Sequence, residues 1–352
     1  MKDITNPHII SSSASIIDAL GQLNALTDGV MTLIVLDRDN RVCGTLTDGD
    51  IRRALLSGAS LQTQVATAAH TDFTAISPDS NPELIRDARR KGIRLLPVID
   101  SEGHLTDTID LTRTTTRLPL SAILMAGGKG ERLRPLTLTT PKPLLEIDGM
   151  PVIDYNIRAM ARAGIKDVTV TTRYLAEQIH RHFSEPRFGI NVKCVTETDP
   201  LGTIGAASLV QRALQGDTLV MNSDIITTLS LEEMFLLHKA EQADVTIAAI
   251  PYTVSVPYAI LDIDGHCVKA LEEKPTYSHY ANAGIYIFAN HVLDAIKPGQ
   301  RTDAPQLIEE CIARGGKVTY FPIDGIWIDI GTPADFAHAS ELMRHHRAMG
   351  RF

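Results

Sequence analysis

The chain has 352 residues, enough for two domains, and 44% of them are hydrophobic, so a substantial core can form. Its formal net charge of −8 and pI near 5.8 argue against a broad surface for nucleic acids or anionic membranes. The four cysteines lie far apart without metal-ligand spacing, which favours reduced thiols. No apolar signal-peptide core and no stretch of membrane-spanning length is seen, so we expect a cytoplasmic protein.

The first third of the chain contains a weak internal repeat. Residues 33–42 and 96–105 each read as an apolar strand, a polar turn and a second strand. A helical pattern at residues 84–90 lies between the two strand pairs. The sequence therefore predicts two similar small units, at about 1–60 and 61–117.

This repeat resembles a tandem pair of CBS domains, β-α-β-β-α units that commonly bind adenine nucleotides in the cleft between them. In such domains a Thr or Ser three residues before an Asp contacts phosphate and ribose. The first unit has Thr47 and Asp50 in those places, whereas the second has Arg113 where the Asp would sit. The resemblance implies a regulatory site for an adenine or guanine nucleotide with one degenerate half. A packing and dimerisation module without a ligand is the alternative.

A second domain follows the polar run at residues 112–117, and we place it at 118–352. From Leu120 onward strand and helix patterns alternate, as in a layered α/β domain. Strands are predicted at 120–126, 168–172 and 218–221, and helices at 152–163, from Ser230 through Leu237, and from Thr332 onward.

The strongest signal is a glycine-rich loop directly after the strand at 120–126. Gly127, Gly128 and Gly130 let the backbone turn sharply and present amides to phosphate oxygens. Arg132 and Lys142 follow and supply the positive charge that a triphosphate requires. The stretch lacks the Gly-Lys-Ser/Thr of a P-loop, and a leucine stands where a dinucleotide-binding loop has its third small residue.

This loop, with the Pro-Lys-Pro segment at 141–143, resembles the signature of the sugar nucleotidylyltransferase family, over roughly residues 120–345. Further segments resemble, in family order, a base-reading segment (197–203), a strand-end metal aspartate (222–224), two sugar-phosphate segments (272–275 and 282–286) and a second metal site (327–332). The resemblance implies a Rossmann-like layered α/β nucleotidyltransferase domain with a mixed, mostly parallel sheet, preceded by the CBS pair. Such an enzyme joins a nucleoside triphosphate to a sugar 1-phosphate and releases pyrophosphate.

The resemblance also implies a role for each matching residue. Lys142 would lie near the α-phosphate, Arg132 near the leaving pyrophosphate and Lys274 near the sugar phosphate. Asp224 and Asp329 would hold Mg²⁺ or another divalent cation, which offsets charge on the phosphates. Substrate-binding roles fall to Ala126, Gly127, Gly128, Gly130, Glu197, Gly202, Glu273 and Asn282. No nucleophile or general base is needed, because the sugar phosphate is already ionised at neutral pH.

The nucleobase depends on Glu197, which stands where the family reads the base. Guanine presents two adjacent donors, N1–H and the 2-amino group, which one carboxylate can accept side by side. Uracil and thymine offer one donor between acceptors, which suits an amide side chain better. GTP is therefore the favoured substrate. A contact of Glu197 with ribose or solvent alone leaves uridylyl or thymidylyl transfer open.

The sugar is left open by the residues themselves. A CBS pair before this domain resembles guanylyltransferases of legionaminic-acid precursor pathways, which act on glucosamine-type 1-phosphates, and mannose and heptose 1-phosphates remain alternatives. A homo-oligomer is expected. The non-enzyme alternative is a CBS nucleotide sensor with an inactive transferase-like domain, against which the intact basic and acidic residues argue.

Overall fold

The structure is a computed structural model in which the chain forms two compact units, Met1–Arg117 and Leu118–Phe352. Among the described residues, no helix is both long enough and apolar enough to cross a membrane. The structure describes residues 6–26, 29–78, 82–212 and 216–348.

The first repeat has the predicted β-α-β-β-α order. Its elements are β1 (Ile9–Ser11), α1 (Ile16–Ala25), β2 (Thr32–Leu36), β3 (Val42–Thr47) and α2 (Asp48–Leu56). Strand β2 pairs parallel with β1 and antiparallel with β3. Both helices start at capping boxes, Ser15 with Asp18 and Thr47 with Asp50, so their first turns are specified locally.

The second repeat is shorter. The short helix α3 (Val65–Ala68) precedes its main elements, which are α4 (Pro82–Arg90), β4 (Leu95–Ile99) and β5 (Leu105–Asp110). Among the described residues, a parallel bridge between Ile76 and Val98 takes the place of the first strand. Residues 111–119 form turns and extended chain without a helix. Arg113 therefore does not begin a helix, in contrast to the Thr47 segment of the first repeat.

The second unit alternates strands and helices around one large sheet. Its elements are β6 (Leu120–Ala126), β7 (Glu146–Ile147), β8 (Met150–Pro151), α5 (Val152–Arg162), β9 (Asp167–Thr172), α6 (Ala176–His182), β10 (Lys193–Thr196), β11 (Asp217–Asn222), β12 (Ile225–Thr227), α7 (Leu231–Ala240), β13 (Val245–Ser255), β14 (Ile260–Asp264), β15 (Cys267–Glu272), β16 (Thr276–Ala289), α8 (Asn290–Leu293), α9 (Ala304–Ala313), β17 (Val318–Pro322), β18 (Trp327–Asp329) and α10 (Pro333–Ala348).

The main sheet is mixed and mostly parallel. Its seven strands run in the order β10-β9-β6-β11-β16-β13-β17. Only β16 is antiparallel to its neighbours, and the other pairs within the sheet are parallel. The carboxyl ends of β10, β9, β6 and β11 therefore lie along one edge, where open α/β sheets bind their ligands. This arrangement confirms the predicted fold class.

Both faces of the sheet are covered, which explains why β6 reads as a nearly continuous apolar run. Leu124 packs in the core cluster that includes Ile153 and Ile157 of α5. Ile123, its neighbour in β6, packs in the cluster that includes Leu307 of α9. Successive β6 residues thus point to opposite helical layers, as the strand period of two requires.

Strands β13 and β16 extend beyond the main sheet and, with the β14–β15 pair between them, form an exposed arm. We call residues 251–280 the arm. Except for Val256, Ala259 and the buried Pro275, its residues are exposed. The arm carries Glu273 and Lys274.

Candidate active site

A cavity of about 340 Å³ opens at the carboxyl ends of β6, β9 and β11. Seven of the predicted site residues line it: Ala126, Gly127, Gly128, Lys142, Glu197, Gly202 and Asp224. Six others are not part of its lining: Gly130, Arg132, Glu273, Lys274, Asn282 and Asp329. The fold thus brings the predicted glycine loop, base-reading segment and strand-end aspartate into one cavity.

The glycine loop is shaped by close approaches that exclude side chains. A β-carbon at Gly127 would lie 2.5 Å from Oε1 of Glu197, whereas one at Gly128 would meet no atom within 4 Å. Gly130 has φ of +61°, and a β-carbon there would lie 2.9 Å from Thr137 and 3.2 Å from Cβ of Lys142. Gly127 therefore makes room for Glu197, and Gly130 lets the loop close onto Lys142.

Glu197 is a buried carboxylate, with 5% of its surface exposed. Its backbone N–H donates to the carbonyl of Thr172, and its Oε2 accepts from the backbone N–H of Leu201 at 3.3 Å. Burial raises the pKa of Glu197, against the lowering effects of the Leu201 N–H and the Arg173 charge. Gly202 follows with φ of +82°, where a β-carbon would lie 2.5 Å from the carbonyl oxygen of Thr302.

Two arginines, Arg173 and Arg301, line the cavity although sequence reasoning did not select them. Arg173 directly follows β9, and its buried Nε has no hydrogen-bond partner. The sequence could have indicated Arg173 as a site residue, because it follows a predicted strand and the carboxyl ends of parallel strands share an edge of the sheet. Arg301 carried no comparable signal, because it lies in a loop before α9.

Asp224 and Asp329 are brought together by the β12–β18 pair. Ile225 pairs with Asp329 in that antiparallel ladder, and the N–H of Ile330 donates to the carbonyl of Asp224 at 3.1 Å. Lys142 donates to Oδ2 of Asp224, and its Nζ lies 3.5 Å from Oδ1 of Asp329. Two carboxylates 105 positions apart in sequence therefore share one lysine.

The carboxylate pair has unused acceptor capacity. Oδ1 of Asp224 is buried without a hydrogen-bond partner, whereas the buried Oδ1 of Asp329 is ion-paired with Nζ of Lys142 at 3.5 Å. Burial and the negative charge of Asp224 raise the pKa of Asp329, against the opposing charges of Lys142 and Arg132. Among the described residues, no group of three His, Cys, Asp or Glu side chains could hold a metal. Mg²⁺ is commonly held by one or two carboxylates together with phosphates and water, so this pair of carboxylates fits such an ion.

Arg132 lies on the Asp329 side of the cavity. A β-carbon added to Gly331 would lie 3.4 Å from a terminal nitrogen of Arg132 and 3.4 Å from Oδ2 of Asp335. Asp335 also accepts from the N–H and hydroxyl of Thr332, which fixes the start of α10 beside this guanidinium. Arg132 therefore stands near the predicted metal ligand although it does not line the cavity.

The predicted sugar-phosphate residues lie outside the cavity lining. Glu273 and Lys274 are exposed on the arm. Asn282 lies at the base of β16, where its Oδ1 accepts from the N–H of Gly284 at 2.9 Å. Gly284 approaches the cavity-lining Asn222, since a β-carbon there would lie 2.6 Å from the amide of Asn222. Contacts of Glu273, Lys274 and Asn282 with a sugar phosphate stay predictions.

The N-terminal unit has a cavity of its own, of about 400 Å³, whose lining includes Thr47, His70 and Arg94. Asp50 is not part of the lining. Its Oδ2 accepts from the N–H and hydroxyl of Thr47 at 2.7 and 2.6 Å, which completes the capping box of α2. The Thr-x-x-Asp pattern therefore has a structural role, and its role in nucleotide binding stays a prediction.

Comparison with known proteins identifies two families in the chain. A family model described as nucleotidyl transferase matches residues 121–346, and a CBS domain model matches residues 1–57. The matches confirm the resemblance for the second unit and for the first repeat, and the reading of the second repeat as a CBS unit stays a prediction. The specific likeness to enzymes of legionaminic-acid precursor pathways stays a prediction.

Two curated relatives match 62–63% of the chain. A mannose-1-phosphate guanyltransferase of Gibberella zeae is 32% identical over 227 residues, 62% of this chain and 62% of that protein. One of Saccharomyces cerevisiae is 34% identical over 240 residues, 63% of this chain and 64% of that protein. The match thus spans less than two thirds of the relatives' length. A Bacillus anthracis structure named as a glucose-1-phosphate thymidylyltransferase shares the fold (TM-score 0.51, 23% identity, 64% of this chain and 95% of that one).

Proposed function

The chain belongs to the nucleotidyl transferase family, and we propose that it transfers a nucleotidyl group, guanylyl by preference, from a nucleoside triphosphate to a sugar 1-phosphate. One observation carries the proposal. A single cavity at the strand ends is lined by the glycine loop, Lys142, the buried Glu197 and Asp224. Such a cavity offers donors for phosphates beside an acceptor for a base.

The reaction joins two anions, so its barrier is mainly charge repulsion and alignment. A phosphate oxygen of the sugar 1-phosphate attacks the α-phosphorus, and the bond to the pyrophosphate oxygen breaks. Lys142, with its side chain 13% exposed and positioned by Asp224, would donate to the α-phosphate. Arg132 would face the departing pyrophosphate. A preorganised donor of this kind contributes on the order of 10²–10³ in rate.

Asp224 and Asp329 would hold Mg²⁺ through their carboxylates, of which Oδ1 of Asp224 is buried without a hydrogen-bond partner. When bound, the ion would neutralise charge on the phosphate oxygens. Lys142 lies between the same two carboxylates and keeps them close together before any ion binds.

The preference for guanine rests on Glu197. A buried carboxylate beside Gly127 can accept both N1–H and the 2-amino hydrogen of guanine. The curated relatives at 32–34% identity carry the name mannose-1-phosphate guanyltransferase, which supports the same base. For the sugar, mannose, glucosamine-type and heptose 1-phosphates are the candidates.

Pyrophosphate release, measured with GTP, ATP, UTP, CTP and dTTP and with each candidate sugar 1-phosphate, tests the function directly. The unaltered chain should prefer GTP. Glu197→Gln should lower kcat/KM for GTP about 10- to 100-fold, because a hydrogen bond to a charged group contributes about 1.5–3 kcal/mol. Asp199→Asn is the matched control, since that carboxylate is exposed and outside the cavity lining. A preference for UTP or dTTP would contradict the guanine assignment.

The N-terminal cavity supports a regulatory site for an adenine or guanine nucleotide, because Thr47 lines it together with the basic Arg94. Regulation requires the nucleotide to bind two states of the enzyme unequally. Calorimetry on the full chain with ATP, ADP, AMP, GDP and GTP, with and without Arg94→Ala, should show binding that the variant weakens. Binding heat without any pyrophosphate release would instead favour the nucleotide-sensor alternative.

A further inference from the structure

We propose that Arg173 is a second base-reading residue, whose guanidinium donates to O6 and N7 of guanine while Glu197 accepts from N1–H and the 2-amino group. The proposal deepens the proposed guanylyl transfer and rests on it. It assigns a specificity role to a side chain that no sequence motif selected.

The first observation is the register of three neighbouring strands. Ala126 of β6 pairs with Thr172 of β9, and Thr172 pairs with Thr196 of β10. The next residue on each strand is therefore Gly127, Arg173 and Glu197, in a row across the edge of the sheet. In the strand order Arg173 lies between Gly127 and Glu197, although the Glu197 carboxylate itself reaches Gly127, and all three residues line the cavity.

The second observation is an unused donor. Nε of Arg173 is buried and has no hydrogen-bond partner. Buried polar groups in native proteins are nearly always paired, so an unpaired guanidinium nitrogen at a cavity wall points to a ligand acceptor. Arginine's planar fork suits two acceptors in one plane, and O6 and N7 of guanine have that geometry.

The third observation is the order of charges along the cavity wall. A basic side chain beside an acidic one matches an acceptor followed by two donors, which is the order O6, N1–H, 2-amino in guanine. Adenine and cytosine place an amino donor where Arg173 would require an acceptor. Uracil and thymine place a carbonyl where Glu197 would require its second donor. The positive charge of Arg173 also lowers the pKa of Glu197, which favours the ionised form that accepts both bonds.

Analogues of GTP separate the two contacts. 7-Deaza-GTP lacks N7, the acceptor assigned to Arg173, and ITP lacks the 2-amino group assigned to Glu197. The unaltered enzyme should discriminate against both. Arg173→Lys keeps the charge beside Glu197 but loses the planar fork. We expect it to lower kcat/KM for GTP about 10- to 100-fold and to bring the GTP to 7-deaza-GTP ratio close to one.

In the same variant, discrimination between GTP and ITP should persist, because Glu197 is unchanged. Arg301→Lys is the matched control, as a second arginine of the cavity wall, and should leave both analogue ratios as they are. Melting temperatures of the two variants exclude loss of folding as the cause.

Two outcomes would overturn the proposal. One is an unaltered enzyme that uses 7-deaza-GTP as well as GTP. The other is an Arg173→Lys variant that still prefers GTP to 7-deaza-GTP but no longer prefers GTP to ITP. Arg173 would then only position Glu197. Failure of the proposed function looks different, since the unaltered enzyme would then release no pyrophosphate from GTP or would prefer a pyrimidine nucleotide.

Discussion

Gly127→Ala should selectively weaken the use of GTP. The added β-carbon would lie 2.5 Å from Oε1 and 3.2 Å from Cδ of Glu197, where ordinary contacts begin at 3.4 Å. The carboxylate must therefore retreat by about 1 Å, and a misplacement of that size costs on the order of 10² in rate. Because the clash involves the end of a side chain and no backbone atom, the melting temperature should change little.

The assay compares kcat/KM for GTP and ITP in the unaltered chain, Gly127→Ala and the adjacent Gly128→Ala. In Gly127→Ala the value for GTP should fall about 10- to 100-fold and the GTP to ITP ratio should approach one. A β-carbon at Gly128 meets no atom within 4 Å, so Gly128→Ala should keep the GTP to ITP ratio. Any fall in kcat/KM in that variant should be the same for all triphosphates. An unchanged GTP to ITP ratio in Gly127→Ala would refute the placement of Glu197 against the base.

Three further predictions follow from other parts of the second unit. Mg²⁺ at a hundred times its Kd should raise the free energy of unfolding by about 2.7 kcal/mol, and Asp224→Asn or Asp329→Asn should abolish that increase. If the increase persists in one of these variants, the altered residue is not a ligand of the metal. Gly202→Ala should lower the free energy of unfolding in urea by more than Gly189→Ala, for which we expect roughly 1–2 kcal/mol. Both glycines have φ near +81°, but only at Gly202 would the added β-carbon lie 2.5 Å from a backbone carbonyl oxygen. Equal losses in the two variants would contradict this clash. Burial opposes ionisation of Asp217, yet hydrogen bonds from a neighbouring histidine and lysine hold its pKa below the usual range of an aspartate. Its stabilising effect is therefore present above the usual aspartate pKa and is lost as the pH falls through the lowered pKa. Asp217→Asn should reduce the free energy of unfolding at pH 7 and flatten its decline in acid.

Much of the fold was predictable because its signals are local. The apolar run at 120–126, the capping boxes and the helix before Gly164 depend on residues within one or two turns of each other, so the sequence shows them directly. The glycine loop, Lys142 and Glu197 were predictable for another reason. Their residue types and order resemble a family signature, and seven of the predicted site residues line one cavity.

The sequence by itself determined the two-part organisation, the mostly parallel sheet and the chemical character of the cavity. Only the tertiary structure decided which side chains meet there. Arg173 lies beside Glu197 because β6, β9 and β10 share a register, and register depends on strand pairing between distant segments. The same holds for Asp224 and Asp329, which come together through the β12–β18 pair and through one lysine. Such contacts depend on strand pairing between segments far apart in the chain, and no short stretch of sequence encodes them.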